Sequence, residues 1–291
     1  MVLLLLPVGI LLLRTKFFGD LVQEPPPVKN SGGIGWWVSA LITMILGPAT
    51  LFTFKQITEN QEWAPSALFP QGITNQVITW TTILGLITLV LFLIWHFAVN
   101  KKAGGTADDY GLTWSGKLSW GKIGKSLLLA ILIALAGYVT LFLTDYFFKS
   151  DYRFWVFAVK LLTPLQLRIA LTYFFPFLFY FFLLNLVLFA QLRKDIGLGK
   201  EILINVAILV LGYVGLLLIH YIPLLTGGTL AWPDESLWGI IAFQFLPLMT
   251  IAGILMTYFN RKTGHIYLGA FLFSLLVSLI VVASTAIHYA F

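Results

Sequence analysis

No cysteine occurs anywhere in the 291-residue chain, which excludes a disulfide framework, a thiolate metal site and a cysteine nucleophile. Charge is scarce as well. Only 10% of residues are Asp, Glu, Lys or Arg and 59% are hydrophobic, against roughly 25% and 45–50% in a soluble domain. Between the apolar runs, no polar stretch is long enough to form a soluble domain of its own, so one membrane domain accounts for the length. The net charge of +6 does not point to nucleic acid, because Lys and Arg sit in short links between apolar runs, where lipid headgroups account for them.

The motifs of common chemistries are missing too. No Gly-x-Ser-x-Gly elbow presents a serine nucleophile. There is no His-Glu-x-x-His, and no pair of acids on one apolar run to bind a metal or activate water. Gly104-Gly105 lacks the Gly-Lys-Ser continuation of a phosphate-cradling loop and reads as a turn. The sequence therefore names no catalytic residue, no metal ligand and no cofactor.

What the chain has instead is long apolar runs. Crossing about 30 Å of hydrocarbon takes roughly 20 residues as a helix, and only helices and closed barrels satisfy their backbone there. Seven runs qualify: Gly35 to Phe54, Ile73 to Val99, Ser126 to Phe147, Ala170 to Gln191, Glu201 to Leu225, Leu237 to Phe259 and Ile266 to His288. None alternates with period 2, so the expected fold is all-α, a polytopic transmembrane helical bundle of seven full spans. An eighth run, Val2 to Leu13, reaches only about 18 Å as a helix and is too short to span alone. With the Pro25-Pro26-Pro27 linker and Gly32-Gly33 it forms a segment 1–34 preceding a membrane domain 35–291. Small residues four apart, Ala130 with Ala134 and Ala270 with Ser274 and Ser278, are expected to let helices approach closely.

The Lys and Arg asymmetry predicts orientation. With the segment before Gly35 inside, thirteen basic residues lie in inner links and five outside, which places the C-terminus outside a bacterial cytoplasmic membrane. Four of the outer five, Lys149, Arg153, Lys160 and Arg168, share the link 148–169 with several aromatic residues. An amphipathic helix lying in the outer interface accommodates both, the cations reaching for headgroups above the rings.

Polar residues within spans are costly and usually face a bundle interior or a water-filled cavity. Asp145, His220, Gln244 and His288 all fall in the outer layer of this topology and form a candidate polar pocket, with His220 able to change charge near neutral pH. A position this near a helix end also reaches water without any pocket, and that plainer account carries more weight. Asn185 lies deeper and reads as an interhelical hydrogen bond rather than a ligand.

Five stretches carry a resemblance: Leu11-Leu-Leu-Arg-Thr-Lys-Phe-Phe18, Phe69-Pro-Gln-Gly-Ile-Thr-Asn75, Asp145-Tyr-Phe-Phe-Lys-Ser-Asp-Tyr-Arg-Phe-Trp155, Tyr173-Phe-Phe-Pro-Phe177 and Thr263-Gly-His-Ile-Tyr-Leu-Gly-Ala-Phe271. In order and spacing they resemble the C-terminal membrane region of a bacterial, Firmicutes-type family of alpha/beta hydrolase or dienelactone-hydrolase-like proteins. In that family a preceding soluble domain supplies the nucleophile, acid and histidine, and nothing of that domain stands here. The resemblance therefore implies no catalytic residue in this chain, and His265 stands where it leads one to expect Asn. It also suggests that Val2 to Leu13 is the second half of a longer helix, with a hydrolase encoded separately. The expected function is a non-catalytic membrane subunit or anchor for an extracytoplasmic hydrolase, with the lipid bilayer and that hydrolase as partners. The alternative is a small-molecule or lipid transporter using the outer polar layer. Transporters commonly carry internal repeats, broken helices or several buried charges, and no clear repeat occurs here.

Overall fold

The computed structural model describes residues 2–23, 90, 107–114, 116–148, 161–164, 166–167, 170–171, 174–175, 177–179, 181–182, 185, 197–225, 247, 250–251 and 253–283, with residues 2–4, 145, 148, 212–225 and 280–282 described by their backbone alone. The expected spans Gly35 to Phe54 and Ile73 to Val99 lie outside these residues, apart from the helical Val90.

All regular structure among the described residues is helical, and there is no strand. Four helices have defined bounds: α1 (Val2–Leu13), α2 (Trp120–Phe148), α3 (Leu198–Leu225) and α4 (Tyr267–Ala283). Residues 253–263 form a further helix that leads into α4 through a three-residue turn. Gly264 makes this turn possible, since its φ of 69° lies in the left-handed region that side chains resist and in which helices commonly end.

Helix boundaries depart from the apolar runs where charge and backbone geometry disagree. α2 begins at Trp120, six residues before the expected Ser126, and runs through Lys122 and Lys125. Lysine is a good helix former, so the helix continues where the hydropathy falls. Near residue 164 the sequence Thr163-Pro164-Leu165-Gln166 forms a capping box. The Gln166 amide N–H donates to Thr163 Oγ1 at 3.3 Å, and the Thr163 N–H donates back to Gln166 Oε1 at 3.0 Å. Helix therefore starts at 164 instead of 170, and residues 161–163 are non-helical, so the expected interfacial helix at 148–169 does not extend to its far end. Residues 149–160 lie outside the described set.

α1, α2 and α4 pack with helix 253–263 around a shared core that contains Leu5, Leu129, Ile133, Phe259, Phe273 and Leu276. Among the four helices with defined bounds, α2 and α4 share the most extensive contact. Ala130, Ala134, Ala270, Ser274 and Ser278 are all buried. The serine hydroxyls donate to carbonyls of their own helix, Ser274 to Ala270 O at 2.7 Å and Ser278 to Ser274 O at 2.6 Å, so no polar group is left bare in the contact. Gly137 sits where α1, α2 and α4 meet, with room for a Cβ only 3.1 Å from Leu5 and 3.2 Å from Leu276.

Gly9 is tighter still. A Cβ there would lie 2.6 Å from Cε1 of Phe259, whose ring is fully buried. Gly9→Val is expected to destabilise the protein by about 1–3 kcal/mol through overpacking. Thermal unfolding of the detergent-purified chain would register this as a lowered Tm, and an unchanged Tm would mean that α1 does not sit against helix 253–263.

The stretch Trp120–Thr144 is long and apolar enough to cross a membrane, and it is the one such helix among the described residues. Only 33% of its most apolar window is buried. Leu128, Leu132, Leu135, Val139 and Leu143, spaced three or four residues apart, expose an apolar stripe along one face of α2.

Candidate functional site

Among the described residues, buried polar side chains such as Asp109, Glu201, Asn260, Thr263 and His265 gather at one end of the helices, where described links that carry Lys and Arg meet. Three of these links, 14–23, 107–119 and 261–266, are tied together directly. The Gln23 N–H donates to the Lys262 carbonyl at 3.4 Å, and the His265 Nε2 lies 3.2 Å from Gln23 Oε1. The Ile266 N–H donates to Gly111 O at 3.3 Å, and the Tyr267 hydroxyl donates to Leu112 O at 2.9 Å. A fourth segment, the start of α3, joins through Glu201 and Arg261.

The 107–117 loop is pre-shaped for this docking. Asp108 begins a single 3-10 turn, Asp108–Tyr110, closed by Gly111 at φ 66°. Its Oδ1 accepts from the Thr113 hydroxyl and from the Gly116 N–H at 3.0 Å, drawing the chain into a compact knot. The knot turns Trp114 inward, where its ring stacks on Tyr267 at 5.4 Å between centroids and 7° between planes, and meets the His265 ring at 3.9 Å. Trp114 and His265 are both buried. His265 is thus held by ring contact on one face and by Gln23 at its edge, as an integral part of the packing.

Beneath this layer lie two buried amide arrangements. Asn260 Nδ2 donates to Asn185 Oδ1, while Asn260 Oδ1 accepts from the Gly269 N–H at 3.0 Å. The second bond matters for the fold, because the first N–H groups of a helix have no partner within it and α4 begins inside the protein. Asn260 supplies from a neighbouring helix what an N-cap side chain usually supplies locally. Gly269 is required for the approach, since a Cβ would sit 2.7 Å from the Asn260 Cγ. Asn185 Nδ2 in turn donates to Phe181 O and lies 3.2 Å from Met256 Sδ. One turn away, Asn205 Nδ2 donates to Thr257 Oγ1 at 2.8 Å, and that hydroxyl donates to Gly253 O at 2.8 Å.

Arg261 and Glu201 form an ion pair at 2.6 Å. The Glu201 side chain is only 1% exposed and that of Arg261 30% exposed. Glu201 lies in the first turns of α3 and Arg261 near the end of helix 253–263, so each charge also complements the dipole of its own helix. By contrast Lys125–Asp20, at 2.8 Å, has both partners in partial contact with solvent and contributes about 0–1 kcal/mol.

Of the residues expected to form a polar pocket, Asp145 and His220 lie on the backbone of α2 and α3 near their C-terminal ends, and Gln244 and His288 lie outside the described residues. The interfacial residues Lys149, Arg153, Lys160 and Arg168 also lie outside them. Asn185 is buried and bonded between helices. The sequence singled out none of Asn260, Trp114, Asp108 or the Glu201–Arg261 pair as site residues, and named His265 only as a departure from the resemblance. Asp108 carried a local signal, an Asp followed by Gly111, Thr113 and Gly116. The others become partners only across separations such as 60 residues for Arg261–Glu201 and 75 for Asn260–Asn185, which no local spacing reports.

Chemically, this end of the molecule is a set of mutual clamps. Among the described residues no group of three or more His, Asp or Glu side chains is placed to hold a metal ion. Comparison with known proteins adds no function: no family model, curated protein or solved structure matches the chain.

Proposed function

We propose that this protein is a polytopic integral membrane protein with a structural role, a non-catalytic subunit or anchor whose seven spans hold a partner hydrolase at the outer face of the bilayer. The observation that carries the membrane part is the α2 stripe. A helix apolar on all sides belongs either in the core of a large protein or in lipid. Most of the apolar window of α2 is not buried, and Leu128, Leu132, Leu135, Val139 and Leu143 face outward, which favours lipid. The gathering of basic links at one end agrees with the count that puts those links on the inner side of the membrane.

A non-catalytic role is supported by how the buried polar groups are used. Asn185, Asn260, Asn205 and Glu201 each bond a group on another helix. The hydrolase partner rests on the sequence resemblance alone.

Purification of the tagged full chain from its native membrane, followed by labelling with a fluorophosphonate serine-hydrolase probe, tests this function. The expected result is a labelled companion band with none on the chain itself. Ester hydrolysis by the isolated chain would overturn the non-catalytic role, and absence of any labelled companion would remove the hydrolase partner.

A further inference from the structure

The basic end of the bundle carries a surface that the clamps do not use. Arg14, Lys16 and Lys117 are exposed, and Lys122 and Lys125 are half-buried on the first turns of α2. The two segments that bear them are in contact, because Lys125 bonds Asp20 at 2.8 Å and its ammonium lies 5.0 Å from the Phe17 ring centre. Lys122 is likewise held 5.7 Å from the Trp114 ring centre. Three acids stand nearby against these five cations, which leaves the face positive: Asp20 pairs with Lys125, Asp108 is turned to Thr113 and Gly116, and Asp109 is buried.

Large apolar side chains stand among these cations. Trp120 is 76% exposed, Phe17 54% and Leu118 49%. Rings and an aliphatic chain this open, beside ammonium groups, suit the boundary between headgroups and acyl chains, where the apolar bodies enter the lipid and the charges meet phosphate. Two cations in the first turns of α2, with no acid there, also oppose the helix dipole.

We infer that Lys16, Lys122 and Lys125, with Phe17 and Trp120 as apolar flanks, form a binding site for the headgroup of an anionic phospholipid of the inner leaflet. This rests on the membrane reading above and specifies a lipid class for it. A basic side chain close to an anionic lipid surface raises affinity roughly fivefold. Loss of three charges is therefore expected to weaken binding at least about tenfold after salt screening.

The test uses the full chain in nanodiscs of equimolar phosphatidylglycerol and phosphatidylcholine, with the lipids retained after transfer to detergent counted by native mass spectrometry. The wild type should keep phosphatidylglycerol preferentially. The triple variant Lys16→Gln, Lys122→Gln, Lys125→Gln should lose that preference at least about tenfold, with phosphatidylcholine unchanged. Lys16→Gln alone, at an exposed position, should weaken retention roughly fivefold even if the triple variant fails to fold. Equal phosphatidylglycerol retention by wild type and variants would overturn the site, and displacement by millimolar inorganic phosphate would show that it takes free phosphate rather than lipid. A chain that stays soluble without detergent would instead overturn the membrane reading itself, a failure distinct from loss of lipid preference.

Discussion

Arg261→Ala is expected to lower folding stability by roughly 3 kcal/mol, among the largest effects of any single substitution at the basic end. The loss comes less from the attraction itself than from what remains: a Glu201 carboxylate, 1% exposed, deprived of the guanidinium 2.6 Å away. Partial exposure of Arg261 keeps the effect at the lower end of the range for breaking a buried pair. Chemical denaturation in detergent would measure it, and a double-mutant cycle would separate pairing from burial. The second substitution, Glu201→Leu, should restore much of the stability lost in Arg261→Ala, because it removes the buried charge that Arg261 faced. If Arg261→Ala changed stability by less than about 0.5 kcal/mol, the range of an ordinary surface substitution, the pair would not be joining α3 to helix 253–263.

Asn260→Leu should cost about 2–4 kcal/mol, with two buried groups losing a partner at once. The Gly269 N–H loses its acceptor at the start of α4, and Asn185 Oδ1 loses its donor. Polar contacts between helices in lipid often measure nearer 0.6 kcal/mol, because the separated helices find other partners. The backbone N–H of Gly269 has no such freedom, since the geometry of the turn at 264–266 fixes it. Hydrogen exchange at Gly269 should therefore accelerate together with the loss of stability, whereas Asn205→Leu, which removes a side-chain contact to Thr257, should leave that amide protected.

The two amide positions show how far sequence reasoning reaches. Asn185 stood out because a lone amide in an apolar run needs a partner, yet the sequence does not say which. Asn260, 75 residues later, lies next to Arg261 and Lys262 and looks like part of a polar link. Only the turn at Gly264 brings the end of its helix back against the start of α4 and so buries it. Glu201 was concealed in the same way: at the edge of an apolar run it reads as a solvated first-turn acid, and burial by Arg261 from another helix decides otherwise.

Helices were easier to read than their ends. α1 occupies Val2–Leu13, the bounds of its apolar run, and α3 starts three residues before its run. The larger shift at α2 arises because hydropathy measures where lipid is tolerated, whereas a helix ends where capping and backbone geometry end it. Residues 161–163 are non-helical and the cap between Thr163 and Gln166 starts a helix at 164, whereas 149–160, the bulk of the expected interfacial segment, lie outside the described residues.

The central claim, that α2 lies in lipid with its basic end inside, meets its most direct test in the absence of cysteine. Leu135→Cys and Lys117→Cys each introduce the sole thiol of the chain, one 45% exposed in the middle of the α2 stripe and one exposed at the basic end. Both positions would react in a water-soluble protein. Treated with a membrane-impermeant maleimide, the thiol at position 117 should label only after cells are permeabilised, and the thiol at position 135 should remain unlabelled before and after. Ready labelling at position 135 would place that stripe in water and contradict the account.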